Sequence, residues 1–238
     1  MYGMYGYGYG YGLDPTIILV LIGVALSLWA QGRVNSTFSR YSRVRSMTGM
    51  TGAEAARRLL NAQGIYDVTV QQIAGELTDH YDPRTKTVNL SESVYGSTSI
   101  AAVGVAAHEC GHAIQDNVGY APLRLRSAFV PIANLGSKIS LPLIILGFFI
   151  GLTPFIEIGI WMFVLAVLFQ IITLPVEFNA SSRAVQLVDS LGILQGDEVD
   201  GTRRVLGAAA LTYVAAAAAS ILQLMRLIIL FGGRRRND

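Results

Sequence analysis

The sequence predicts an α-helical membrane protein of about four transmembrane helices, with a small α+β domain set between the first span and the second. Three observations carry this. Hydrophobic residues fill 52% of the 238 positions and charged residues 14%, against about 25% charged in soluble domains. Four long segments are apolar enough to cross a bilayer. Between the first and second lies a polar stretch carrying the signals of a short helix, a hairpin and a further helix.

Residues 1–13, MYGMYGYGYGYGL, alternate Tyr and Gly. They cannot build a core, and they lack the basic start and cleavage site of a signal peptide. They read as a flexible tail whose tyrosines rest at the membrane interface. Residues 14–31 form the first span, with Trp29 near its end. Arg33, Arg40, Arg43 and Arg45 follow closely, and a basic cluster beside a span marks the cytoplasmic side.

Residues 32–127 read as the water-facing domain. Thr51 and Glu54 make a capping-box pattern before EAARRLLNAQ, a helix that Gly64 stops. YDVTVQQI, from Tyr66 to Ile73, is strand-like. Asp82-Pro83 marks a hairpin turn, and the strand returns at Thr87–Leu90. Ser97 or Ser99 caps the next helix. Residues 128–176 read as a transmembrane hairpin turning at Thr153-Pro154, with bends at Pro131 and Pro142. Pro175 is expected to reset the chain, so that 177–204 hold a fresh helix and then a polar loop. Residues 205–231 form the fourth helix, whose Ala run at 215–219 makes it the weakest span, and 232–238 are a basic tail.

The chemistry concentrates in VAAHECGHAIQD, residues 105–116. This is HExxH: two of the chain's three histidines, His108 and His112, stand four apart and share one helix face. Neutral imidazoles suit Zn²⁺, and three protein ligands leave a position for water. Glu109 lies close enough to act as general base on that water. Cys110 points to the far side of the helix, and Gly111 permits close packing on a neighbour.

The third ligand is open among His80, Glu157, Glu177, Asp189, Asp197, Glu198 and Asp200. Glu177 is favoured, because a carboxylate beside the bilayer with no nearby charge needs a partner. Asp197, Glu198 and Asp200 read as solvated. The single cysteine rules out an internal disulfide, and a net charge of +2 gives no argument for nucleic acid.

GMTGAEAARRLLNAQ, LTDHYDPRTKTVNLS, GVAAHECGHAIQ, YAPLRLRSAFVPIANLGS and LPVEFNASSRA together resemble the YugP-like family of bacterial membrane zinc metallopeptidases. The resemblance runs from the first span to about residue 224. It implies a zincin-like peptidase domain and a gluzincin-like site with one Zn²⁺: His108, His112 and Glu177 as metal ligands, Glu109 as catalytic base. More distantly the chain is similar to membrane zinc peptidases of the heat-shock and prenyl-protein-processing kind. Those carry Glu-x-x-x-Asp, where the Asp braces a zinc histidine; here Ser181 stands at that place.

His80 or Tyr81, on the hairpin before the motif, is a candidate to steady the oxyanion, and Tyr120 a weaker one. The implied function is a membrane-bound zinc endopeptidase acting on proteins or peptides at the lipid bilayer of a bacterial plasma membrane. The positive-inside rule puts its catalytic domain in the cytoplasm, although a fourth full span would leave Arg234, Arg235 and Arg236 outside. The competing class is a catalytically silent zinc-stabilised scaffold or regulatory protein, which has no need of a carboxylate beside an open zinc. The sequence gives neither the substrate nor the oligomeric state.

Overall fold

The computed structural model describes residues 14–232. The Tyr/Gly tail and Arg234, Arg235 and Arg236 lie outside the described residues. Four helices are long and apolar enough to cross a membrane: α1 (Ile17–Tyr41), α5 (Ala121–Ile150), α6 (Thr153–Ser190) and α7 (Asp197–Phe231). Between α1 and α5 come α2 (Gly52–Ala62), β1 (Thr69–Ile73), β2 (His80–Asp82), β3 (Thr87–Ser91), α3 (Glu92–Tyr95) and α4 (Ile100–Asn117).

The water-facing elements follow their local signals. α2 opens on the full capping box, with Thr51 accepting from the Glu54 amide and Glu54 accepting from the Thr51 amide. Ala53, Ala56, Leu59 and Leu60 bury one face of α2. The sheet has the order β1-β3-β2, with β3 antiparallel to β2 and parallel to β1. As the middle strand, β3 is buried along its whole length, so its apolar Val88 and Leu90 join the core shared by α2 and α4. Ser99 caps α4 by accepting from the Ala102 amide.

α5 and α6 form the expected hairpin, turning where Gly151 adopts φ 73°, a conformation glycine takes without a Cβ penalty. Small residues let the two helices approach closely: a Cβ on Gly136 would sit 2.6 Å from the Met162 carbonyl oxygen.

Three boundaries differ from the sequence reading. α5 already begins at Ala121, because Pro122 suits a helix's first turn. Pro175 lies inside α6 rather than before a new helix; a membrane helix tolerates proline where neighbours satisfy the freed backbone groups. Glu177 therefore lies on an unbroken continuation of the third candidate span. The polar loop is also shorter, since α7 starts at Asp197. Asp197, Glu198 and Asp200 occupy its first turn, where carboxylates favour the helix N-terminus. Of these Glu198 is not solvated: it is buried and accepts from the Met47 and Gln195 amides.

The contact that matters most for the site is α4 against α6. A Cβ on Gly111 would lie 2.6 Å from the Ala180 carbonyl oxygen, so only glycine allows this separation. Gly111→Ala is expected to push the helices apart, lower the unfolding temperature and weaken metal retention together. Overpacking of this kind costs typically about 1–3 kcal/mol. Thermal unfolding and bound-metal analysis of the purified variant check it; unchanged values for both would mean the helices separate without cost.

Candidate metal centre

α4 presents His108 and His112 toward α6, and α6 returns Glu177 to meet them. One ligand atom from each of the three lies within 4.8 Å of the others. Glu177 is almost wholly buried. Its Oε2 stands 3.3 Å from His108 Nε2 and 3.6 Å from His112 Nε2, yet it has no hydrogen-bond partner among the described residues.

These separations fit a small metal ion. Ligand atoms held tetrahedrally at about 2.0–2.1 Å from zinc lie roughly 3.4 Å from one another. A direct N–H···O bond would be shorter than both observed distances. The donor set, two imidazoles and one carboxylate, is likewise one that zinc accepts.

The surroundings aim each donor. Glu177 Oε1 faces Arg126 Nη1 at 3.3 Å, which leaves Oε2 as the oxygen turned to the histidines. The Gln115 amide donates to the Val176 carbonyl at 2.8 Å and to Asn179 Oδ1 at 3.0 Å. Its own Oε1 is then the acceptor for His112 Nδ1–H, at 3.1 Å. That hydrogen bond selects the tautomer whose Nε2 lone pair is free for a metal. Ser181 Oγ stands 3.1 Å from His108 Nδ1 and offers the same service to the first histidine. It does so from the position where the more distant peptidases carry an aspartate, but without the charge.

Burial disfavours a charge on His112, yet Glu177, Glu109 and Gln115 outweigh it and hold its pKa above the ordinary imidazole value.

Glu109 is buried and, with His108 and Glu177, lines a cavity of about 340 Å³. The cavity's other walls come from Gln31 and Val34 of α1, Leu77 and Asp79 before β2, and Leu206 and Tyr213 of α7. It lies where the membrane helices meet the water-facing elements.

The other sequence candidates fall elsewhere. His80 is exposed, with Nδ1 2.8 Å from the Thr78 carbonyl and Nε2 3.2 Å from Asn89 Nδ2, and it does not line this cavity. Tyr81 donates to Asp116 at 2.8 Å; burial and that carboxylate push its phenol above the usual range. Tyr120 precedes α5, and its backbone amide bonds the Gln115 carbonyl. Glu157 is twenty residues before Glu177 on one helix, about 30 Å away, and Asp189 is twelve beyond it. Cys110 points away from the triad, its thiol set against the Ala56 carbonyl and its pKa raised by burial.

Sequence reasoning did not find Gln115, Arg126 or Tyr213. Gln115 carries a usable signal, lying three residues from His112 and so on the same helix face. Tyr213 does as well, being the one large polar side chain at the start of an alanine run. Arg126 carries none, since its partner is 51 residues away.

Residues 16–232 match the model of a family described as "putative neutral zinc metallopeptidase". The "putative membrane protease YugP" of Bacillus subtilis (strain 168) is 48% identical over 222 residues, which covers 93% of this chain and 99% of that protein. No solved structure matches the chain.

Proposed function

The chain belongs to this zinc metallopeptidase family, and from that premise we propose that it is a membrane-bound zinc endopeptidase with a zincin-like catalytic domain. The observation that carries the reading is the buried, unpartnered Oε2 of Glu177 facing two imidazole nitrogens at 3.3 and 3.6 Å. His108 Nε2, His112 Nε2 and Glu177 Oε2 would hold the ion. A zinc ion there supplies Lewis acidity and brings the pKa of a bound water toward about 7.

The chain's own residues do the rest. Gln115 and Ser181 hold the imidazoles with their donor atoms inward, and Arg126 turns one carboxylate oxygen of Glu177 away. Glu109, outside the triad but on the same cavity wall, takes the proton of the attacking water and passes it to the leaving amine. Tyr213 lines the same cavity as Glu109 and Glu177, which supports it for the oxyanion role that the sequence offered to His80 or Tyr81.

The position of the site bears on the substrate. Glu177 lies 24 residues from Thr153, about 36 Å along α6. That exceeds a hydrocarbon core of about 30 Å. The scissile bond is accordingly held at the membrane surface, which suits extended segments next to a membrane anchor. The arginines that follow α1 support a cytoplasmic side for this surface by the positive-inside rule.

The test is zinc-dependent turnover by the intact chain in detergent. Casein cleavage is expected to stop on dialysis against a chelator and to return on adding about one equivalent of Zn²⁺. Cleavage that survives removal of all measurable zinc would sink the proposal.

A further inference from the structure

A second cavity, of about 500 Å³, lies between α1 and α7. It is separate from the triad and differs from it in charge. Arg33 and Arg40 of α1 and Arg204 of α7 line it, with the hydroxyl-bearing Ser36 and Thr37 between them. None of the three guanidinium groups has a carboxylate within 4 Å among the described residues, whereas the adjacent Arg203 pairs with Asp200. Arg40 is steadied over the Tyr41 ring at 5.6 Å. On the α7 wall Gly207 leaves the cleft open, since a Cβ built there meets nothing within 4 Å. Ala208 and Leu211 continue that wall as an apolar surface.

Depth fixes what meets this cleft. The far ends of α1 and α7 are tied together by the Arg226–Asp14 ion pair. Measured from that pair, Arg33 lies nineteen residues, about 28 Å, along α1, and Arg204 twenty-two residues, about 33 Å, along α7. A hydrocarbon core of about 30 Å ends between these levels. Three cations without counter-charges therefore stand at headgroup level, above an apolar wall running into the bilayer.

We propose that this cleft binds the headgroup phosphate of an anionic phospholipid in the leaflet on the catalytic side. The guanidinium groups hold the phosphate oxygens in the forked geometry arginine offers, and the acyl chains lie against Ala208 and Leu211. Val34 and Gln31, one helical turn or less from Arg33, line the metal cavity, so a lipid bridging α1 and α7 also braces that wall. The assignment does not depend on peptidase activity.

Native mass spectrometry of the intact chain in neutral detergent tests it, with phosphatidylglycerol and phosphatidylcholine as probes. One phosphatidylglycerol is expected per chain at concentrations where phosphatidylcholine leaves the protein bare. Arg33→Gln, Arg40→Gln and Arg204→Gln combined should weaken binding at least tenfold, since each arginine near an anionic surface contributes to the attraction. Gly207→Leu fills the cleft with all charges kept, and should weaken binding similarly. Arg43→Gln, outside the cleft, should not. Arg204→Gln alone set against Arg43→Gln decides the matter if the heavier variants fail to fold. Equal binding of the two lipids would overturn the proposal. So would full phosphatidylglycerol binding by Gly207→Leu, which would mark a diffuse surface field. Displacement of the lipid by millimolar inorganic phosphate would assign the cleft to a soluble phosphate instead, and would overturn it too.

Discussion

Glu109→Gln is expected to keep one zinc ion per chain and to lose peptidase turnover by about 10²–10⁴-fold, the usual contribution of a positioned general base. Glutamine keeps the length and shape of the side chain, so the cavity wall and the packing of α4 are preserved. It cannot accept a proton from water at neutral pH. The candidate ligand atoms belong to His108, His112 and Glu177, so the amide leaves that donor set complete. Metal analysis together with casein cleavage on the same preparation separates the two effects. Wild-type turnover in the variant would remove Glu109 from the mechanism. A wild-type protein that binds zinc and cleaves nothing would favour the silent scaffold. The buried carboxylate on the wall of an open cavity beside the triad argues against that alternative.

The site was legible in the sequence to the extent that it is local. HExxH needs only helical spacing, and α4 supplies it: His108 and His112 are four apart on one continuous helix. The capping box at Thr51 and the turn after Asp82 are equally local, and both appear where their residues foretold. What was not legible depends on which helix lies beside which. Arg126 meets Glu177 only because α5 and α6 fold back on each other. Tyr213 reaches the cavity only because α7 packs beside α4. The reading of Pro175 as a break failed for a similar reason. Proline's penalty is a local property, but in a membrane bundle neighbouring segments offset it. Glu198 was misplaced because the amides it caps, at Met47 and Gln195, include one 151 positions away.

Glu177→Ala should have the largest effect on the metal itself. Removing Oε2 leaves two imidazoles and no equivalent replacement: Glu109 and Asp79 line the same cavity but fall outside the group of mutually close ligand atoms, and Glu157 is about 30 Å along the same helix. Loss of an outer partner of a zinc ligand typically costs about 10–100-fold in affinity, and loss of the ligand itself should exceed that. The variant also leaves Arg126 beside the two histidines without its carboxylate, so an uncompensated cation adds repulsion against any metal ion. The two causes can be separated. Arg126→Gln combined with Glu177→Ala removes the repulsion but not the missing donor, and should recover only a small part of the lost affinity. Competition titration with a zinc chelator on all three proteins measures this. Full zinc affinity in Glu177→Ala would mean that the carboxylate serves Arg126 alone. Full recovery in the double variant would mean that charge, not coordination, links α6 to the site. The expected order, wild type far above the double variant and the double variant slightly above Glu177→Ala, follows if the third candidate span ends in a metal ligand.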